Sequence, residues 1–80
     1  MLTKFITTAM QKANYELLED GTFYGEIPEC EGVWGNGKTL ESCREDLQDA
    51  LEGWIILGFR LGHKFPILED IDLNLTQEVA

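Results

Sequence analysis

A long stretch of helical periodicity in the second half of the 80-residue chain restricts the fold more than any other feature. Apolar residues recur there at spacings of three and four, which predicts an amphipathic helix with one covered face. The predicted stripe consists of Leu40, Cys43, Leu47, Ala50, Leu51, Trp54, Gly58 and Leu61. Thr39 is the expected N-cap and Gly62 the expected C-cap, while Ser42 leaves the capping box without its usual Glu or Gln. Such a stripe predicts a helix laid on a sheet.

The segment before this helix has the alternation of a β-hairpin. Residues 13–19 and 22–27 are predicted strands, joined by Asp20-Gly21, a dipeptide suited to a turn with positive φ. Pro28 ends the second strand, because proline donates no hydrogen bond to a sheet.

A third strand is predicted at residues 33–38, although it contains two glycines. Gly35 and Gly37 indicate a bulge or a close approach of another backbone. The resulting hairpin-plus-strand unit gives the long helix a surface on which to pack.

The two ends of the chain complete the predicted fold. Residues 3–12 have the apolar spacing of a short helix, residues 65–67 an extended linker, and residues 71–75 the strict alternation of a fourth, parallel or edge strand. The prediction is a single α+β domain over residues 1–80. It has a short N-terminal helix and then β-β-β-α-β, with one long amphipathic helix on a small mixed sheet.

Charge limits the function more than size does. The chain has 15 acidic and 6 basic side chains, a net charge of -9. Nucleic acids and anionic membranes are bound by Lys and Arg, so direct binding to either is not expected, whereas a basic protein is attracted. The alternative is that acidity only keeps the protein soluble. The candidate partner-binding residues are Glu29, Glu31, Glu41, Glu45, Asp49 and Glu52.

The second half of the predicted helix is apolar nearly all round from Trp54 to Phe59. A segment of this kind has to be covered. Either the N-terminal helix covers it, or it lies between subunits of a homo-oligomer, and the two explanations are compatible. The candidate interface residues are Trp54, Ile56 and Phe59.

Reactive groups are few. His63 is the sole histidine, and nothing in the sequence brings it to Cys30 or Cys43, so no catalytic set, metal site or cofactor is expected. Residues 32–39 match the spacing GxxxxGK[ST], but an antiparallel hairpin precedes them, which argues against a nucleotide site. A metal-dependent nuclease built on the plentiful carboxylates remains an alternative.

No signal peptide or membrane-spanning run is recognisable, so a cytoplasmic protein with reduced cysteines is expected.

A family pattern runs through the middle of the chain. The hairpin ends in Tyr24-Gly25-Glu26-Ile27-Pro28, a loop glycine follows at Gly32, and the helix opens with Gly37-Lys38-Thr39-Leu40-Glu41-Ser42-Cys43 and later carries Trp54. This order resembles the HicB-like antitoxin family over roughly residues 13–75. The departures are Lys38, Ser42 and Cys43, where that family usually has Asp, Glu and Ala.

The resemblance implies a truncated RNase H-like fold without the nuclease's carboxylate set. It also implies binding to a small basic HicA-like toxin, a ribonuclease that cleaves mRNA. Many members of that family carry a C-terminal DNA-binding module. None is recognisable within these 80 residues, so a repressor role is not expected.

Overall fold

A computed structural model describes residues 2–73 of the chain. Its elements are α1 (Leu2–Gln11), β1 (Asn14–Leu17), β2 (Phe23–Glu26), β3 (Trp34–Gly37) and α2 (Leu40–Leu61). The predicted α+β class is confirmed, and α2 has the predicted bounds. The first three predicted strands lie where they were predicted but are shorter, because the residues at their ends lie in the connecting segments.

The three strands form an antiparallel sheet in the order β1-β2-β3. Gly25 in the middle strand lies opposite Tyr15 of β1 and opposite Gly35 of β3, which fixes the register. The β1–β2 turn is the predicted one: Gly21 has a φ of 85°, and the backbone N–H of Thr22 donates to Asp20 Oδ1 at 2.9 Å. The expected mixed sheet is corrected, since every strand pairing within residues 2–73 is antiparallel.

Helix α2 lies directly on the glycines of the sheet. A Cβ added at Gly35 would stand 2.5 Å from the backbone nitrogen of Leu47, and one added at Gly37 would overlap the side chain of Ser42. The two contacts show that α2 runs back along β3. The close backbone approach predicted for these glycines is thereby confirmed.

Both ends of α2 are capped. Ser42 N donates to Thr39 Oγ1 at 3.0 Å, and Thr39 N donates back to Ser42 Oγ at 3.1 Å. The capping box is therefore complete, contrary to the prediction, because the short serine side chain reaches the Thr39 backbone as a Glu or Gln would. Gly62 takes the left-handed C-cap conformation at φ 70°, as predicted.

The buried stripe of α2 differs from the predicted one at both ends. Leu40 and Leu61 are about half exposed or more, at 49% and 60%, whereas Ile55 is 2% exposed. The residues of α2 that are buried are Cys43, Leu47, Leu51, Ile55 and Gly58. From Cys43 to Ile55 the buried residues are four positions apart. The buried stripe therefore includes Ile55, whereas the prediction had placed Trp54 there.

The core is closed by α1 and by the segment after α2. Helix α1 buries Phe5, Ala9 and Met10 against it. Phe65, predicted to lie in a linker, is 4% exposed and packs edge-on to Phe5 with ring centroids 6.4 Å apart. Gly58 makes the space, because a Cβ there would meet Phe65 Cζ at 2.6 Å.

The predicted fourth strand at 71–75 is not part of the sheet over its described residues, 71–73. Leu68 and Ile71 instead exchange backbone hydrogen bonds of 3.1 and 2.7 Å in an isolated bridge. The main-chain groups of Ile71 are therefore satisfied locally. Residues 74 and 75 lie outside the described part of the chain.

The chain makes a tight turn just before the predicted strand. Glu69 and Asp70 both have positive φ, 44° and 73°, so the chain doubles back tightly between the bridging residues. This turn buries Leu68 and Leu73, which are 2% and 1% exposed.

Candidate protein-binding surface

Four of the six predicted partner-binding acids share the solvent face of α2. Glu41, Glu45, Asp49 and Glu52 are separated by three or four residues and lie away from the buried stripe. Glu41, Glu45 and Asp49 are exposed, whereas Glu52 is half-buried and accepts a 3.0 Å hydrogen bond from Gln48 Nε2. The row spans about 16 Å at the helical rise of about 1.5 Å per residue.

The other two acids, Glu29 and Glu31, lie on the β2–β3 loop. Both are exposed, and Cys30 between them is buried at 1% exposure. Backbone hydrogen bonds from Cys30 N to Ile27 O (3.0 Å) and from Val33 N to Cys30 O (3.1 Å) fix the loop. The loop therefore holds the backbone of Glu29 and Glu31 in a fixed conformation, with both carboxylates exposed.

Helix acids and loop acids belong to different elements. Four of them lie on α2, whereas Glu29 and Glu31 lie on the loop between β2 and β3. The structure thus groups the four helix residues on one face of α2 and places the loop pair on another element.

The negative charge of the surface is little neutralised. No charged side chain is buried among the described residues. Lys12 Nζ lies 4.0 Å from a carboxylate oxygen of Glu69, at the limit of an ion pair. Asp46 Oδ2 accepts a 2.9 Å hydrogen bond from the backbone N–H of Asn36. In residues 2–73 no Lys or Arg lies within ion-pair distance of Glu41 or Glu45. Their charges face solvent.

The predicted oligomer-interface residues are divided by the structure. Trp54 and Phe59 are half-buried within the chain, with ring centroids 5.4 and 4.9 Å from that of Phe65. Ile56 is 60% exposed beside Leu2 of α1, which is itself 46% exposed. Further exposed apolar side chains nearby in sequence are Leu57, Leu61 and Ile67. The N-terminal helix and Phe65 therefore cover part of the apolar segment.

An aromatic pair on the open face of the sheet was missed by the sequence reasoning. Tyr24 and Trp34 stack with centroids 6.1 Å apart and an interplanar angle of 24°, and Trp34 is 52% exposed. The rings line a shallow cavity together with Glu26 and Glu31. The signal was present in the alternation of β2, which puts Tyr24 and Glu26 on one face, but the register that adds Trp34 needed the structure.

The thiols are placed for packing. Burial, with a smaller effect of Glu29, raises the pKa of Cys30 to about 11, and burial also raises the pKa of Cys43. A thiol with a raised pKa is a poor nucleophile at neutral pH. Both cysteines are free and buried, and His63 is exposed. Among the described residues, no three His, Cys, Asp or Glu side chains are grouped closely enough to hold a metal ion.

The segment that matches GxxxxGK[ST], Gly32 to Thr39, forms the end of a loop, strand β3 and the N-cap of α2. Its Gly35 and Gly37 face α2 directly. No helix in the described part of the chain has the length and apolar character needed to cross a bilayer.

The geometry defines a small α+β domain with a three-stranded antiparallel sheet, one face under α2 and the other open, and an exposed acidic surface. The chain belongs to the UPF0150-like family, whose sequence model matches residues 4–66. It is also similar to the crystal structure of TTHA0281 from Thermus thermophilus. The sequences are 42% identical over 89% of each chain, with a TM-score of 0.83. No curated protein matches the chain.

Proposed function

We propose that this chain is a protein-binding module of the HicB-like antitoxin type, without catalytic activity, which binds and neutralises a small basic HicA-like toxin that cleaves mRNA. The observation that carries the proposal is the row of exposed carboxylates formed by Glu41, Glu45 and Asp49 on α2, none of which has an ion-pair partner within residues 2–73. The resemblance of residues 13–75 to that family supplies the kind of partner.

Electrostatics favour this pairing. A protein that cleaves mRNA has to hold a polyanion, and it does so with Lys and Arg side chains. An acidic protein can occupy the same cationic surface and so exclude the RNA. The backbone that carries Glu41, Glu45 and Asp49 is held in place, because α2 is capped at both ends and packed on the sheet. Binding through this row therefore costs side-chain rotamer entropy but little backbone entropy. The toxin acts on mRNA, so the proposed place of action is the cytoplasm.

Co-expression with a small basic HicA-like protein, sought in the reading frame beside this chain's gene, tests the proposal. The chain is expected to co-purify with that protein and to restore growth to cells in which it cleaves RNA. A Glu41→Gln/Glu45→Gln variant is expected to lose affinity by about ten-fold, because opposite charges at an interface contribute to binding. The matched control is Glu19→Gln/Asp70→Asn, which removes two exposed charges elsewhere.

Both variants change the net charge from -9 to -7, since each removes two negative charges. Equal loss of affinity in the two would assign the effect to net charge alone and contradict the role of the α2 row. Absence of any complex with wild-type chain, or RNA cleavage by the purified chain with Mg²⁺, would contradict the proposal itself.

We also propose self-association through the apolar side chains that α1 and Phe65 leave exposed. Ile56 of α2 is 60% exposed and lies beside Leu2 of α1, which is 46% exposed. Contiguous exposed apolar side chains are typical of interaction surfaces. Sedimentation at micromolar concentration is expected to show a dimer or larger species that Ile56→Ser disrupts. A wild-type monomer would contradict it.

A further inference from the structure

The face of the sheet turned away from α2 carries side chains of an unusual combination. The strand register places Glu16 directly opposite Tyr24, and Glu26 directly opposite Trp34. Directly opposed side chains on an antiparallel sheet lie about 5 Å apart at Cβ. Each aromatic ring on this face therefore has a carboxylate as its neighbour. The remaining positions on the face are Asn14 and Asn36.

The two rings are available to a ligand. They stack on each other at 6.1 Å, yet Trp34 keeps 52% of its surface exposed. Trp34 is therefore one of the large apolar side chains that this fold leaves exposed. No helix within residues 2–73 covers the open face.

A shallow cavity of about 240 Å³ adjoins this pair, between β2, β3 and the loop that joins them. Its lining includes both rings, Glu26 and Glu31, and contains no Lys or Arg. The loop is fixed by its buried Cys30 and by backbone hydrogen bonds. The cavity thus combines π faces with two carboxylates whose charge no cation of its own lining neutralises.

We propose that this aromatic-acidic cleft, formed by Tyr24, Trp34, Glu26 and Glu31, binds an arginine side chain of the basic protein partner. A guanidinium group stacks on an aromatic face and donates paired hydrogen bonds to carboxylates, and this cleft offers both. The inference rests on the proposed function, because it specifies where and how the basic partner is held.

Other occupants fit less well. Lysine can provide the charge but not the planar stacking surface or the forked donors. A nucleobase could stack on Trp34, but its phosphates would meet Glu26 and Glu31. A second copy of the chain carries 15 acidic side chains and only two arginines, so it offers this cleft few guanidinium groups.

The two tryptophans allow a direct test, because Trp34 and Trp54 give separate indole N–H signals in a ¹⁵N correlation spectrum. Trp34→Phe assigns them. An arginine-rich nonapeptide is expected to shift the Trp34 signal saturably and leave the Trp54 signal in place. A lysine-rich nonapeptide of equal charge is expected to bind at least about three-fold more weakly, since it lacks guanidinium stacking.

Matched variants separate the cleft from net charge. Glu26→Gln/Glu31→Gln is expected to weaken the arginine peptide by about ten-fold, and Glu19→Gln/Asp70→Asn by less than about two-fold. Trp34→Ala removes the exposed ring and is expected to weaken the binding of the arginine peptide by about five-fold. The affinity of Trp34→Phe is expected to lie between those of Trp34→Ala and wild type. Unchanged far-UV circular dichroism shows that each variant is folded.

Any one of three results would contradict arginine binding in the cleft. They are a Trp34 signal that does not move, an equal loss of peptide affinity in the two double variants, and an equal affinity for the arginine and lysine peptides. A single-stranded RNA that shifts Trp34 more strongly than the peptide, or a shift on concentrating the chain alone, would assign the face to another occupant.

Repeating the titration with the HicA-like protein of the co-expression experiment distinguishes this inference from the proposed function. If that protein binds wild type and Trp34→Ala equally, the cleft is refuted and the proposed function stands. If the arginine peptide behaves as expected while that protein does not bind, the cleft is supported and the toxin partner is refuted.

Discussion

Replacing Gly35 with alanine tests how α2 is held on the sheet. The added Cβ would lie 2.5 Å from Leu47 N and 2.7 Å from Leu47 Cα. Ordinary contacts of a Cβ are 3.4 Å or longer, so the shortfall is about 1 Å. Both atoms belong to the helix backbone, which cannot turn aside as a side chain can. The helix has to lift from β3, and the packing of its buried stripe loosens.

Overpacking of this kind costs about 1–3 kcal/mol, and a clash with backbone belongs at the upper end, so we expect a loss of about 2–3 kcal/mol. A domain of this size is stable by roughly 4–12 kcal/mol in total. Because about 1 kcal/mol corresponds to roughly 4–8 °C in a domain of this length, Tm is expected to fall by about 10 °C or more.

Urea and thermal denaturation followed by circular dichroism measure the change, and Gly53→Ala is the matched control. Gly53 is an exposed helix residue with no atom within 4 Å of an added Cβ. The same substitution there is expected to raise the free energy of unfolding by about 0.5–1 kcal/mol through helix propensity. A Gly35→Ala protein as stable as wild type would refute the close packing of α2 on β3.

Two further predictions concern α2 and the core. Burial holds the pKa of Cys30 at about 11, above the ordinary value of 9.0, so the unfolded chain loses this proton first as pH rises. The contribution of Cys30 to the free energy of unfolding is therefore expected to be intact below about pH 9 and to fall between pH 9 and 11. Denaturation at stepped pH measures this fall, which is expected to be less steep in Cys30→Ala. An equal dependence on pH in wild type and variant would contradict this cause. Thr39→Ala removes the N-cap and is expected to cost about 1 kcal/mol, with less than additive loss in combination with Ser42→Ala. Additive losses in that double-mutant cycle would show that the two side chains do not act as one box.

The sequence was sufficient for the order of elements from α1 to α2 because local signals are strong there. Helix α2 is indicated by its caps and periodicity, and the hairpin by Asp20-Gly21. The glycines of β3 also pointed correctly to a close backbone approach. These features depend on residues near one another in the chain.

Features that depend on distant residues were harder to predict. Phe65 follows the helix in a segment without periodicity, and its place against Phe5 is fixed by the path of the chain through space. Gly58 was recognised as part of the stripe, but not as the gap that Phe65 fills. Alternation at residues 71–75 predicted a strand, but the tight turn between Leu68 and Ile71 satisfies the main-chain groups of Ile71 locally, so Ile71 does not pair with the sheet.

The candidate site shows the same division. The acidic face of α2 follows from helical spacing within one element, so sequence alone could group Glu41, Glu45 and Asp49. The aromatic-acidic cleft depends on the register between β2 and β3, where a shift of one residue would place Trp34 on the other face. Pairing partners of that kind are not visible in one sequence.

Titration calorimetry between the purified chain and a small basic HicA-like protein, repeated at increasing NaCl, tests most directly whether this molecule acts by occupying a cationic protein surface. The account predicts a complex whose affinity falls by about ten-fold or more between about 50 and 200 mM salt, because exposed charges are screened. No measurable heat of binding at low salt, or an affinity that does not change with salt, would contradict it.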